Sequence, residues 1–212
     1  MKRKVMALTA MAALALVLGA VTYSVTLAQP GRSAEIYAQA EGDDTVVARV
    51  SGLPVTRGVV RKASAINKQF DSTLTDSQAD KRAIVPIIHR KALVAEALNR
   101  GLTPTDKDVA AFIQRRKYDC TGPGAEACQA AIADTGMSEA DFWVAAEPDY
   151  RDALLLNRVY ADHYADVGID ENSTEDEVWQ ARVAFGLDIQ AAASIEWEDD
   201  ELKRLYEEAA SE

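Results

Sequence analysis

The chain is poor in the side chains that build reactive and metal-binding centres. It has two His and two Cys among 212 residues. A multi-cysteine zinc module and a disulfide-dense scaffold are therefore excluded. Eleven Gly and six Pro exclude collagen-like and linker-dominated chains. Positive charge is outweighed: 23 Lys and Arg face 34 Asp and Glu, for a formal net charge of −11. Nucleic acid is not an expected partner, since that binding is largely phosphate neutralisation by Lys and Arg. What remains is 48% hydrophobic and 27% charged, which suits one globular domain with a tail rather than disorder.

The charge is unevenly placed. Residues 1–28 carry Lys2, Arg3 and Lys4 and no acid, whereas residues 166–212 carry 3 basic and 15 acidic side chains. The last quarter reads as an acidic appendage on a nearly neutral body. It is either a solvated face or an acidic binding tail.

Lys2-Arg3-Lys4 precedes an uncharged stretch from Val5 to Ala28 that holds Leu8, Leu14, Leu16 and Leu18. A basic start followed by an apolar run reads as an export signal. Thr26-Leu27-Ala28 and Ala38-Gln39-Ala40 are candidate cleavage sites. The run also reaches the roughly 20 residues that span a bilayer, so residues 5–28 are a cleaved signal or an uncleaved membrane anchor. The absence of Cys there excludes a lipoprotein anchor. The expected location is extracytoplasmic, secreted or held at the outer face of the cytoplasmic membrane. Residues 29–44 read as a flexible tether, and residues 45–212 as the folded domain.

The domain reads as mainly α. Val46–Val50 is a short β-rich run closed by Ser51-Gly52-Leu53-Pro54. Thr56 is placed to cap a helix to about Phe70. Thr75 with Gln78 forms a capping box for a helix to Arg100, which Gly101 stops. Ile84, Ile87, Ile88, Ala92, Ala95 and Leu98 line its apolar face, and Pro86 is expected to kink it. Further helices start at Thr105, near Ala125, at Ser138 and around Pro148. The one around Pro148 runs to Asp166 and stops at Gly168. Ser173 or Thr174 caps a helix to about Phe185. Ile189, Ala191, Ala193, Ile195 and Trp197 alternate as a strand does, and Asp199-Asp200 open a terminal helix.

Several of these pieces resemble one family. Val47-Ala48-Arg49-Val50-Ser51-Gly52-Leu53-Pro54-Val55-Thr56 resembles the opening strand and helix start of extracytoplasmic parvulin-type chaperones, the SurA-type and PrsA-type foldases. The run from Ile87 through Gly101-Leu102-Thr103-Pro104-Thr105-Asp106 to Val109 resembles their long helix, turn and next helix. Ala193 to Leu202 resembles their closing strand and helix. The resemblance covers roughly residues 45–205. It implies a SurA-N-like helical lobe with a small two-stranded sheet in which the first strand pairs with the last. It also implies a helical cradle for unfolded or extended polypeptide clients. The family's prolyl-isomerase domain is missing: Val167 to Ala191 supplies only 25 residues, with no His and no Cys, too few to build it. Isomerase activity is therefore not implied.

Cys120 and Cys128 lie eight apart. Outside the cytoplasm such a pair reads as a structural disulfide, with a redox or metal pair and two free buried thiols as the alternatives. His89 and His163 read as surface or structural, because neither has an evident nucleophile or metal partner. Glu147, Asp149 and Asp152 read as solvated charges. No Gly-x-Ser-x-Gly, Walker or dinucleotide motif occurs. No catalysis, cofactor or metal is expected. The aromatics Phe142, Trp143, Tyr150, Tyr160 and Tyr164, with Leu154, are candidates for a peptide-binding groove, against the alternative of ordinary core packing. The expected function is chaperone-like binding of unfolded polypeptide; the alternative is an adaptor for one specific protein at the membrane.

Overall fold

A computed structural model describes residues 42–122 and 125–211. The export segment and most of the tether lie outside the described residues. The chain is mainly helical with one small sheet. Its elements are β1 (Val46–Val50), β2 (Leu53–Thr56), α1 (Arg57–Phe70), α2 (Asp76–Asn99), α3 (Asp106–Asp119), α4 (Glu126–Asp134), α5 (Glu139–Ala145), α6 (Glu147–Asp166), α7 (Glu175–Ala192), β3 (Ile195–Trp197) and α8 (Asp200–Ala210).

The sheet has three strands in the order β2-β1-β3, not two. The expected pairing of the chain's ends is present: Ala48, Arg49 and Val50 face Trp197, Glu196 and Ile195 in an antiparallel ladder. The additional strand is a hairpin partner. Ser51 and Gly52 take φ of 47° and 84°, the two left-handed residues of a tight hairpin turn, so Leu53 folds back onto Val50. Pro54 sits opposite Arg49 on the edge strand β2, where a missing N–H is tolerated. Read along the sequence, Ser-Gly-x-Pro looked like the end of a strand; it is the turn and second arm of a hairpin.

The sheet packs through Val47, Val50 and Val55 against Val60 of α1, Ile84 and Ile88 of α2, and Leu202 and Leu205 of α8. The acidic last quarter is therefore no appendage. It supplies β3, α8 and Phe185 to the core, while its described carboxylates other than Asp199 are exposed.

Helix starts follow the expected chemistry. The Thr75–Gln78 box is closed in both directions, as are Thr105–Asp108 and Thr174–Glu177. Ser138 accepts from the Asp141 N–H, and Gly101 and Gly168 stop their helices at φ of 73° and 75°. Thr56 is the exception: it precedes α1 without a side-chain cap. The freed amides of Arg57 and Gly58 donate instead to the carbonyls of Thr45 and Asp43. The end of the tether is thereby stitched to the fold, and Asp43 also pairs with Arg61 at 2.6 Å.

α2 runs through Pro86 to Asn99 and is buried on several sides, with Ala79, Ile84, Ile88, Leu93, Val94 and Ala97 all in the core. Leu98, expected inside, is exposed. α7 is longer than expected and ends at Ala192 rather than near Phe185. The alternation from Ile189 hid a helical spacing: Phe185 and Ile189 lie four apart and pack together on α2 and α6. Only Ile195–Trp197 is left for the strand.

Candidate functional site

The six sequence candidates do not form one surface. Phe142, Trp143 and Tyr150 belong to a distal cluster with Phe112, Ile132 and Cys120. There Trp143 stacks on Tyr150 at 6.0 Å, Phe112 meets Tyr150 edge-on at 5.7 Å, and Lys117 covers the Trp143 ring. The Trp143 indole N–H donates to Glu139 at 3.2 Å. Tyr160 and Tyr164 belong to a second cluster on α6, where Tyr160 meets Phe185 at 5.8 Å and Arg182 lies over the Tyr160 ring at 4.4 Å. Phe142, Trp143, Tyr150 and Tyr160 are buried; Leu154 and Tyr164 are half-buried. Burial pushes the phenols of Tyr150, Tyr160 and Tyr164 above their ordinary range, and neighbouring arginines only partly offset it. Ordinary packing accounts for the four buried rings.

The two cysteines face each other at disulfide distance, with Cα atoms 5.4 Å apart. The bridge joins the end of α3 to α4 beside the distal aromatic cluster. Pro123 and Gly124 of the intervening loop lie outside the described residues. His89 lies between α2 and α7, with Nδ1 3.0 Å from Gln190 Oε1. His163 stacks flat on Phe185 at 4.1 Å. Among the described residues no group of three or more His, Cys, Asp or Glu is placed to hold a metal ion. Arg90 and Lys91 meet Asp149 and Asp152 of α6, so these acids tie two helices together.

Among the described residues, the exposed large apolar side chains Val59, Leu98, Tyr118, Val144 and Val167 are spread on or beside separate elements, whereas three more share α7. Trp179 is 64% exposed, Val183 36% and Leu187 59%. Their spacing of four places them along one side of the helix. Exposed Ala184 and Ala191 widen that side. The other side carries Phe185 and Ile189 into the core, and Gly186, close beside Trp179 round the helix, seats against His89 of α2, so these residues hold the helix in place. α7 is thus apolar on two sides, and only one of them packs. Only the packing of Phe185 and Ile189 separates the two sides. The signal was present: a Trp, Val and Leu at i, i+4 and i+8 on a capped helix that already has an inner apolar face.

Carboxylates frame the outer side. Glu175 and Asp176 precede Trp179 by four and three residues and share its face; Asp188 follows Leu187. The single base of α7, Arg182, is drawn over Tyr160. Among the described residues no helix is long and apolar enough to cross a membrane. No family model, curated protein or solved structure matches this chain.

Proposed function

We propose that this chain binds unfolded or extended polypeptide outside the cytoplasmic membrane, as a chaperone without catalysis. The observation that carries the reading is the exposed line of Trp179, Val183 and Leu187 on a helix whose other side is anchored in the core. Apolar surface that a compact chain does not hide is what client binding requires. The export-type amino terminus, the cysteine pair at disulfide distance and the resemblance to SurA-type chaperones support the location and the class.

The energetics suit a holdase. Full burial of a Val or Leu side chain contributes about 1.5–3 kcal/mol. Immobilising a client costs about 4 kcal/mol or more before any gain is seen. Three shallow contacts therefore give weak, reversible binding. A client can leave and fold between encounters.

The test is suppression of aggregation. Two unrelated proteins diluted from denaturant are followed by light scattering with and without the purified protein. Suppression of both, lost in Val183→Asp/Leu187→Asp while the urea unfolding midpoint is kept, is the expected result. Failure to suppress either client, with pull-down of one protein alone, would replace the chaperone with an adaptor.

A further inference from the structure

The outer side of α7 also has a charge signature that narrows what it accepts. Glu175 and Asp176 stand one turn before Trp179 on the same face, and Asp188 flanks Leu187 at the other end. Arg182, the helix's own base, lies against Tyr160 at 4.4 Å and does not reach over this line as a free cation. The segment that holds α7, β3 and α8 has 15 acidic and 3 basic residues. An acidic or phosphorylated partner would meet repulsion along the whole approach, as would an anionic membrane. A Lys or Arg beside Trp179 would gain both the ring face and two carboxylates.

We propose that the outer face of α7 takes a cationic amphipathic polypeptide segment. Its apolar side lies on Trp179, Val183 and Leu187, and its Lys or Arg side chains meet Glu175 and Asp176 around the Trp179 ring. This rests on the polypeptide-binding reading above and adds the chemical class of client and the residues that select it.

The test uses the purified protein and three synthetic amphipathic peptides that share one Leu face and differ on the other, which is all Lys, all Gln or all Glu. Affinities are measured by titration calorimetry at about 0.1 M and about 1 M salt, where the screening length falls from about 10 Å to about 3 Å. The Lys peptide is expected to bind about tenfold tighter than the Gln peptide at low salt, with the gap closing at high salt. The double variant Glu175→Gln/Asp176→Asn should remove most of that gap and leave the Gln peptide's affinity unchanged. Leu187→Asp should weaken both peptides while keeping the unfolding midpoint.

Equal affinity for all three peptides, lost in Leu187→Asp, would overturn the charge selection and leave polypeptide binding at α7 intact. Binding that ignores Leu187→Asp would overturn the site. No binding of any peptide would overturn the parent reading as well. A dimer that Leu187→Asp dissociates would also overturn the proposal, because a second copy would then fill this face.

Discussion

Gly186 of α7 meets the ring of His89 on α2 so closely that a Cβ at Gly186 would stand 2.7 Å from His89 Cε1. The same ring is held by a second residue of α7, one turn further on. Its Nδ1 donates to the Gln190 side-chain oxygen at 3.0 Å, and Gln190 Nε2 donates to the Tyr206 hydroxyl at 3.0 Å. α7 is therefore locked to α2 and α8 in one rotational setting. That setting is what turns Trp179, Val183 and Leu187 outward.

The close approach predicts the sign of a substitution. Gly→Ala inside a helix ordinarily stabilises by about 1 kcal/mol. At Gly186 the added methyl overlaps His89, and overpacking costs about 1–3 kcal/mol. Gly186→Ala should thus be neutral to destabilising in urea unfolding. In a His89→Ala background the same change should become stabilising, a coupling that a double-mutant cycle reads directly. A stabilising Gly186→Ala in the wild-type background would show that the two residues do not touch.

Asp199 joins the two ends of the fold. One carboxylate oxygen caps α8 by accepting from the amides of Glu201 and Leu202, and the other pairs with Arg57 at the start of α1. Burial raises the carboxyl's pKa, but the Leu202 amide and Arg57 outweigh it and hold it below the ordinary 3.8. Asp199→Ala should cost about 1–2 kcal/mol, mostly through the lost cap. A carboxyl with a depressed folded-state pKa stabilises fully above its unfolded value, and that contribution disappears as pH falls through the folded value. The stability gap between wild type and Asp199→Ala should therefore be constant near neutrality and shrink only below about pH 4. A gap that widens on acidification would contradict the arrangement.

The cysteine bridge closes a loop of about 9 residues, for which chain entropy gives about 2.6 kcal/mol. Its loss should act locally. Cys120→Ser/Cys128→Ser should raise amide exchange in α3 to α5, around Trp143, and leave the β1–β3 ladder protected. Client binding should persist, because α7 lies in a different cluster. Equal labelling of both thiols with and without reductant would mean that the bridge does not form in the native protein.

Removing everything after Gly186 deletes β3 and α8 and bares the β1 edge that pairs with Trp197, Glu196 and Ile195. It also strips Leu202 and Leu205 from the main core. The truncated chain should lose cooperative unfolding. If it melts like the intact protein, the pairing of the chain's ends is wrong.

Much of the fold was readable in advance because it rests on local chemistry. The Thr75–Gln78 box, the stops at Gly101 and Gly168 and the strand at Val46–Val50 are decided within a few residues of sequence. The hairpin is not legible in the sequence, because Pro54 argues against a strand and only an edge position admits it. The end of α7 is masked in the sequence because Ile189, Ala191 and Ala193 alternate, while the contact that decides the matter, Phe185 and Ile189 on α2 and α6, is not local. Exposed and buried rings are not separable in the sequence for the same reason. Trp143 and Trp179 are alike in composition, and only tertiary packing covers the first and leaves the second exposed.

The most direct measurement places a photo-crosslinking residue at Leu187 and, as a control, at exposed Lys203 on α8, then irradiates with an unfolded client present. Crosslinks from 187 to several unrelated unfolded clients, competed by a Lys-rich amphipathic peptide and absent from 203, are the predicted result. Clients captured equally from both positions, or from neither, would contradict α7 as the polypeptide-binding face.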